Sequence, residues 1–190
     1  MQSVFRNLLI AVVACLPLQA AQADSYSDAM KVFQNAGESG AYFNNAHGYA
    51  LFPTIGKGGI GIGGAHGKGK VYRNGSPIGG TSMSQLTVGL QLGGQAYSQI
   101  IFFENEAALE QFTSGNFEFG AQATAVAITA GVSAEANTGG GAAAGASGGK
   151  NDAATTSGGY RKGMAVFTVA KGGLMYEASI GGQKFSYKPN

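Results

Sequence analysis

His47 and His66 are the only imidazoles in this 190-residue chain, and Cys15 is its only thiol. Nucleophilic catalysis needs a base within hydrogen-bond reach of the nucleophile and a third group that orients that base. The aspartates are Asp24, Asp28 and Asp152, near the N-terminus or within a Gly/Ala-rich run, so a Ser-His-carboxylate arrangement would have to recruit a distant glutamate. No H-x-x-x-H spacing announces a zinc site. Two glycine runs imitate phosphate loops. Gly59-Ile60-Gly61-Ile62-Gly63-Gly64 fits G-x-G-x-x-G, but no helical period follows it and no acidic residue lies where a ribose would be held. Gly64 to Val71 approximates a P-loop but ends on valine where a magnesium-binding hydroxyl is required. With 33 glycines in the chain, such matches arise by chance. The sequence predicts no catalytic residue, no metal site and no cofactor.

Charge is more informative. The whole chain nets +2, yet its charges are segregated. From Ser39 to Phe103 there is no acidic residue, while Lys57, Lys68, Lys70 and Arg73 lie in that stretch. Glu104, Glu106, Glu110 and Glu118 follow as an acidic block, and Arg161, Lys162, Lys171, Lys184 and Lys188 make the end basic again, against Glu177. If the two basic stretches fold onto one face they attract an anionic surface; if they scatter they are solvated charges. Nucleic acid is not the expected partner of an exported chain this near neutrality.

Export is read from residues 1–23: Arg6 in a short basic region, an apolar core from Leu8 to Leu18, and Ala21-Gln22-Ala23 as a small-x-small cleavage site. The apolar core is too short to span a bilayer, which takes about 20 residues. A lipobox-like Val12-Val13-Ala14-Cys15 offers a second route, anchorage through an acylated Cys15. Cleavage behind Ala23 removes the one cysteine and with it any disulfide. The remainder, 24–190, is expected to be a single domain.

Those charges must be positioned by the elements around them. Tyr26, Ala29, Met30, Phe33 and Gly37 recur at helical spacing, predicting an amphipathic helix over Tyr26 to Glu38 with Ser25 as N-cap. Its apolar stripe either packs on the domain or lies in a lipid interface with Tyr26, Met30 and Phe33 inserted, although its polar face lacks the lysine and arginine excess of interfacial helices. A second short helix or turn covers Ala41 to Ala46. Short strands are then expected at Gly48–Phe52, Gly59–Ala65 and Gly69–Arg73, with a hairpin at Asn74-Gly75 and a return strand from Pro77. Gln85–Leu92 and Gln95–Phe103 follow around a Gly93-Gly94 turn. Asn105 is placed to cap a short helix through Phe112, with Gly115 as its stop. Strands resume over Asn116 to Ser133. The Gly/Ala-rich run 137–159 is expected to be a disordered loop. Met164–Ala170, Leu174–Ile180 and Lys184–Lys188 complete the chain as hairpin neighbours joined by glycine turns. The class is α+β: N-terminal helical segments packed on a strongly bent, mostly antiparallel, barrel-like sheet, since glycine inside strands marks bulges and corners.

Several blocks carry a resemblance. Ala46-His47-Gly48-Tyr49-Ala50-Leu51-Phe52-Pro53, Lys57-Gly58-Gly59-Ile60-Gly61-Ile62-Gly63-Gly64-Ala65 and Gly94-Gln95-Ala96-Tyr97-Ser98-Gln99-Ile100-Ile101-Phe102-Phe103 are the first three. They continue through Phe117-Glu118-Phe119, Ala125-Val126-Ala127 and Lys171-Gly172-Gly173-Leu174-Met175-Tyr176-Glu177-Ala178. In this order they resemble the SYLF domain family, in its exported bacterial branch. The resemblance implies one non-enzymatic domain that binds phospholipids, with phosphoinositides preferred in eukaryotic relatives, and an N-terminal amphipathic helix used on membranes. Actin binding, known for the yeast branch, is carried here by the family label alone. The chain departs from the family's pattern in its non-basic helix and in the Gly/Ala-rich interruption.

The expectation is therefore a non-enzymatic domain at the periplasmic or envelope surface. Lys57, Lys68, Lys70 and Arg73 would bind anionic headgroups, and Tyr26, Met30 and Phe33 would contact the membrane. The alternatives are a carrier with an acyl chain inside the sheet and a module that binds a protein partner.

Overall fold

The computed structural model describes residues 17–119, 154–155 and 159–190. The proposed signal segment up to residue 16 and most of the Gly/Ala-rich run lie outside the described residues, as do the strands expected beyond Phe119 up to Ser133. Helix α1 (Pro17–Asn35) leads through α2 (Gly37–Gly40) and a 3-10 turn (Ala41–Asn44) into β1 (Gly48–Arg73) and β2 (Ser76–Phe103). Then come α3 (Glu106–Thr113), β3 (Phe117–Phe119), β4 (Ala154–Thr155) and β5 (Met164–Pro189). All pairings are antiparallel, in the order β1-β2-β5-β3, with β4 added on β5. The class is the α+β arrangement with a bent sheet that the sequence predicts.

Local signals were accurate at the Asn74-Gly75 hairpin and at both ends of α3, but not at Gly93-Gly94, which lies inside β2. Asn74 and Gly75 both adopt positive φ, as a two-residue hairpin with the right twist requires. The Asn105 side chain accepts from the Ala108 N–H at 3.0 Å, and Gly115 takes φ +97 just past α3. Ser25, by contrast, does not start the helix: it lies inside α1, because the preceding Leu18 to Asp24 holds good helix formers and no glycine or proline.

The strands differ more. The sequence divides β1 and β5 into short strands separated by glycine turns, whereas each is one strand of 26 residues, paired with a β2 of 28. The pairs Gly172-Gly173 and Gly181-Gly182 stay in the ladder, opposite Ala96, Gln95, Thr87 and Leu86. A shared ladder makes the glycines bend the ribbon instead of ending it. At Gly61, φ is +71 and the β1–β2 register shifts between Ile60 and Ile62. There the ribbon doubles back, and Gly59 comes against Gly63. Its two halves then close on each other: a Cβ on Gly69 would lie 2.7 Å from the Leu51 carbonyl and 2.7 Å from the Phe52 ring.

Folding over gives the sheet an inside and two outsides. The inside is one core, where Phe52 meets Phe185 (5.7 Å between ring centres) and α3 closes the end with Phe112 against Phe103 and Phe185. Deeper toward the bend the filling is polar. Gln183 donates to Gln85 (3.4 Å) and exchanges amide hydrogen bonds with Gln99 (3.3 Å) across the two halves, all three being buried. Such pairing is needed, because a buried amide without a partner costs about 1–3 kcal/mol.

The first outer face, on the half formed by Gly48–Phe52, Ile100–Phe103 and Met164–Ala170, is covered by the N-terminal helices. Ala29, Phe33 and Ala36 of α1 and the segment after it pack on Tyr49, Leu51, Tyr72, Ile100, Phe102, Ala165 and Phe167. Tyr42 stacks on Phe102 and Phe43 sits edge-on to it. The buried Ser39 hydroxyl holds α1's end by donating to the Phe33 and Ala36 carbonyls.

Candidate functional site

Among the described residues no helix packs over the second outer face. Along β1 from Ile62 to Lys70 the even-numbered residues point out and the odd-numbered ones in, and β2 from Gly80 to Val88 alternates the same way. Register then assembles rows across the three strands. Lys70 lies opposite Gly80 and Gly80 opposite Lys188; Lys68, Ser82 and Ser186 form the next row; His66, Ser84 and Lys184 the next. Side-chain contacts agree with the rows: His66 Nδ1 is 3.3 Å from Ser84 Oγ, and Ser82 Oγ is 2.7 Å from Ser186 Oγ. Further along come Gly64 with Leu86, then Ile62 with Val88, close to the bend.

Lys68, Lys70, Lys184 and Lys188 thus share one exposed face. Neither β1 nor β2 contains an acidic residue to offset them. Glu118 of β3 reaches Lys184 at 3.1 Å in an exposed pair. Lys70 Nζ also lies 4.6 Å from the centre of the Tyr26 ring, so α1 meets the open face at its basic end through a cation–π contact.

The structure brings together two of the four cations expected to bind headgroups. Lys68 and Lys70 are neighbours on the open face. Lys57 points the other way: after the register shift past Phe52 it lies opposite Gln95, and it is only 5% exposed. Arg73 stands at the hairpin end, bonded to Glu106 of α3 at 2.6 Å. Lys184 and Lys188 complete the set from the other end of the chain. Their even spacing in a strand put them on one face, but only register across β2 shows that it is the face of Lys68 and Lys70. In α1, Phe33 is fully buried, and Tyr26 and Met30 are half-buried in the same cluster. The apolar stripe therefore packs on the domain, the first of the two readings its sequence allows.

The titratable groups of the covered face held away from their ordinary values are tyrosines. Burial, and then the neighbouring Tyr72, pushes Tyr49 up to about 12, and burial with Tyr42 and Glu104 pushes Tyr160 up to about 12. Tyr26, by burial and Tyr72, and Tyr72, by burial, are also raised. Phenols held this far up stay neutral and offer no base at physiological pH. Among the described residues no group of histidine, cysteine and carboxylate side chains is arranged to hold a metal, and no helix is long and apolar enough to cross a membrane.

Comparison with known proteins adds one finding. Residues 84–189 match the family model Ysc84, described as Las17-binding protein actin regulator. No curated protein and no solved structure matches the chain. The matched stretch holds most of β2, α3 and all of β5, hence Lys184 and Lys188, and is more than half of the chain. The sequence blocks from Ala46 to Ala178, the bent glycine-rich sheet and this match converge: the chain belongs to the SYLF domain family of binding domains, the family of the Ysc84 actin regulators.

Proposed function

We propose that this chain is a non-enzymatic phospholipid-binding domain, exported, cleaved behind Ala23, and docked reversibly on anionic membrane at the periplasmic or envelope surface. The observation that carries the reading is the assembly of Lys68, Lys70, Lys184 and Lys188 on a sheet face that no helix among the described residues covers. Family membership supports it, since the SYLF relatives the sequence resembles bind phospholipids. Phosphoinositides are the preferred headgroups in this reading because the eukaryotic relatives that the sequence resembles prefer them. Each lysine near an anionic surface contributes about 1 kcal/mol, so the four supply about 4 kcal/mol at low salt, a weak attachment that salt screens.

An acyl chain inside the sheet is less well supported, because the interior is occupied by Phe52, Phe103, Phe112, Phe185 and the three glutamines. Membrane contact through Tyr26, Met30 and Phe33 would require α1 to lift off the sheet. Actin stays the family's label in this reading.

The test is co-sedimentation of residues 24–190 with neutral phosphatidylcholine vesicles and with vesicles containing phosphatidylglycerol or phosphoinositide, across a salt series. Binding should need the anionic lipid and fade with salt. Reversing Lys68, Lys70, Lys184 and Lys188 to glutamate should abolish it while the protein stays folded with only a small fall in the thermal melt, since the Glu118–Lys184 pair is exposed. Unchanged binding by the reversed protein would sink the assignment.

A further inference from the structure

At the bend the molecule exposes its large aliphatic side chains to water. Ile60 is 80% exposed, Ile62 65%, Leu86 66%, Val88 61% and Leu92 59%. Isolated exposed leucines are unremarkable on a protein surface, but these five are neighbours by register: Ile60 lies opposite Leu92, Ile62 opposite Val88, and Leu86 one row on, opposite Gly64. We propose that this bend is a tip that inserts into the hydrocarbon boundary of the membrane while the lysines of the same face hold the headgroups. The inference rests on the phospholipid-binding reading and adds to it an apolar anchor and an orientation.

Three observations point to a lipid surface as the occupant. First, the tip and the lysines lie on one continuous ladder. From the Ile62–Val88 row the outer face runs through Leu86, then His66, Ser84 and Lys184, then Lys68 with Ser82 and Ser186, then Lys70 and Lys188. At about 3.3 Å per residue, Lys184 stands about 13 Å and the last lysine row about 27 Å from the tip. A ribbon tilted on the surface would therefore sink its aliphatic end while Lys184 and Lys68 remain among headgroups, their stems lying along the apolar boundary. Second, the rows pass from wholly aliphatic at the bend to mixed hydroxyl, imidazole and cationic away from it, the direction of the polarity gradient of a bilayer read outward. Third, the charges oppose a second copy as occupant. A two-fold contact centred on the tip would bring the flanking lysines of both copies together, and β1 and β2 hold no acidic residue to compensate.

The chain contains no tryptophan, so one placed at the tip is the sole tryptophan and can be excited selectively over the tyrosines. In Val88→Trp, mixed with phosphatidylglycerol-containing vesicles, emission should shift to the blue and be quenched by lipids brominated on their acyl chains. Gln111→Trp, on the exposed side of α3, should show neither change. Separately, Ile62→Ser, Leu86→Ser and Val88→Ser combined should weaken vesicle partitioning roughly a hundredfold, since three aliphatic side chains lose their burial. Salt should then remove all residual binding, whereas the unaltered protein should keep a salt-resistant fraction. A Val88→Trp protein that co-sediments with vesicles yet shows no shift and no quenching would overturn the tip and leave surface docking standing. Failure of the unaltered protein to bind any vesicle would overturn both. A concentration-dependent dimer that the serine variant abolishes would reassign the patch to self-association and overturn the tip.

Discussion

The two outer faces of the folded sheet are made by the same three strands and share the same alternation, yet one is covered and the other is open. On the covered face the outward positions hold Tyr49, Leu51, Ile100, Phe102, Ala165 and Phe167, and α1 with the turn after it fits over them. On the open face the outward positions near the hairpin hold Lys68, Lys70, Ser82, Ser84, Lys184 and Lys188, and the aliphatic residues are confined to the bend. A continuous aromatic stripe is buried by the chain's own helices because leaving it wet would forfeit about 1.5–3 kcal/mol per large side chain. The lysine face offers a helix no such gain, and no helix among the described residues covers it. One face holds the fold together, and the other is left to act.

The sharpest way to break this contrast is to truncate one side chain on each face. Phe33→Ala empties a site where a fully buried ring meets the sheet, and should cost about 3–5 kcal/mol of stability in a urea titration. Val88→Ser exchanges two methyl groups for a hydroxyl at an exposed position and should change stability by less than about 0.5 kcal/mol. Similar losses at both would mean that the open face is a structural surface after all. The same pair of variants measured on vesicles should reverse in rank, provided Phe33→Ala is assayed where it remains folded.

How far the two faces are legible in the sequence differs for a physical reason. The covered face rests on local signals: helical spacing at Tyr26, Ala29, Met30 and Phe33, and aromatic-rich strands, both of which act within a few residues. The turns at Asn74-Gly75 and Gly115 and the cap at Asn105 are of the same kind. The open face depends on register. Lys70 and Lys188 are far apart in sequence and meet only through Gly80, a partnership that no local pattern contains. The glycine pairs of β5 read as turns because nothing in their own neighbourhood says that β2 runs unbroken alongside them. Lys57 belongs with Lys68 and Lys70 by sequence distance, but the register shift beyond Phe52 turns it to the inside.

Alkali should act on the covered face, which holds the four tyrosines with raised values. The unfolded phenol ionises near about 10, while Tyr49 and Tyr160 in the fold hold their protons to about 12. Between those values the unfolded chain binds fewer protons than the native one, so stability must fall as pH rises. The stabilisation is intact below pH 10 and is lost progressively toward pH 12. Urea midpoints at intervals from pH 8 to 12 should trace this decline, and Tyr49→Phe should flatten part of it. A flat profile would show that these phenols are solvated in the native state.

The smallest effect expected is at Arg73, where the contrast between a charge used by the fold and a charge left free can be isolated. Its bond to Glu106 ties the β1–β2 hairpin to α3, but both partners are well exposed, which limits such a pair to about 0.2–1 kcal/mol. A double-mutant cycle of Arg73→Gln and Glu106→Gln should return a coupling in that range that shrinks with salt. Removing both leaves the net charge unchanged, so vesicle affinity should be unaltered in the double variant. Lys68→Gln with Lys70→Gln removes two positive charges from the open face and should weaken anionic binding by about 2 kcal/mol at low salt. If the neutral double variant at Arg73 and Glu106 weakened binding as much, the basic site would extend to the hairpin end, and Arg73 would belong to the headgroup set with the lysines.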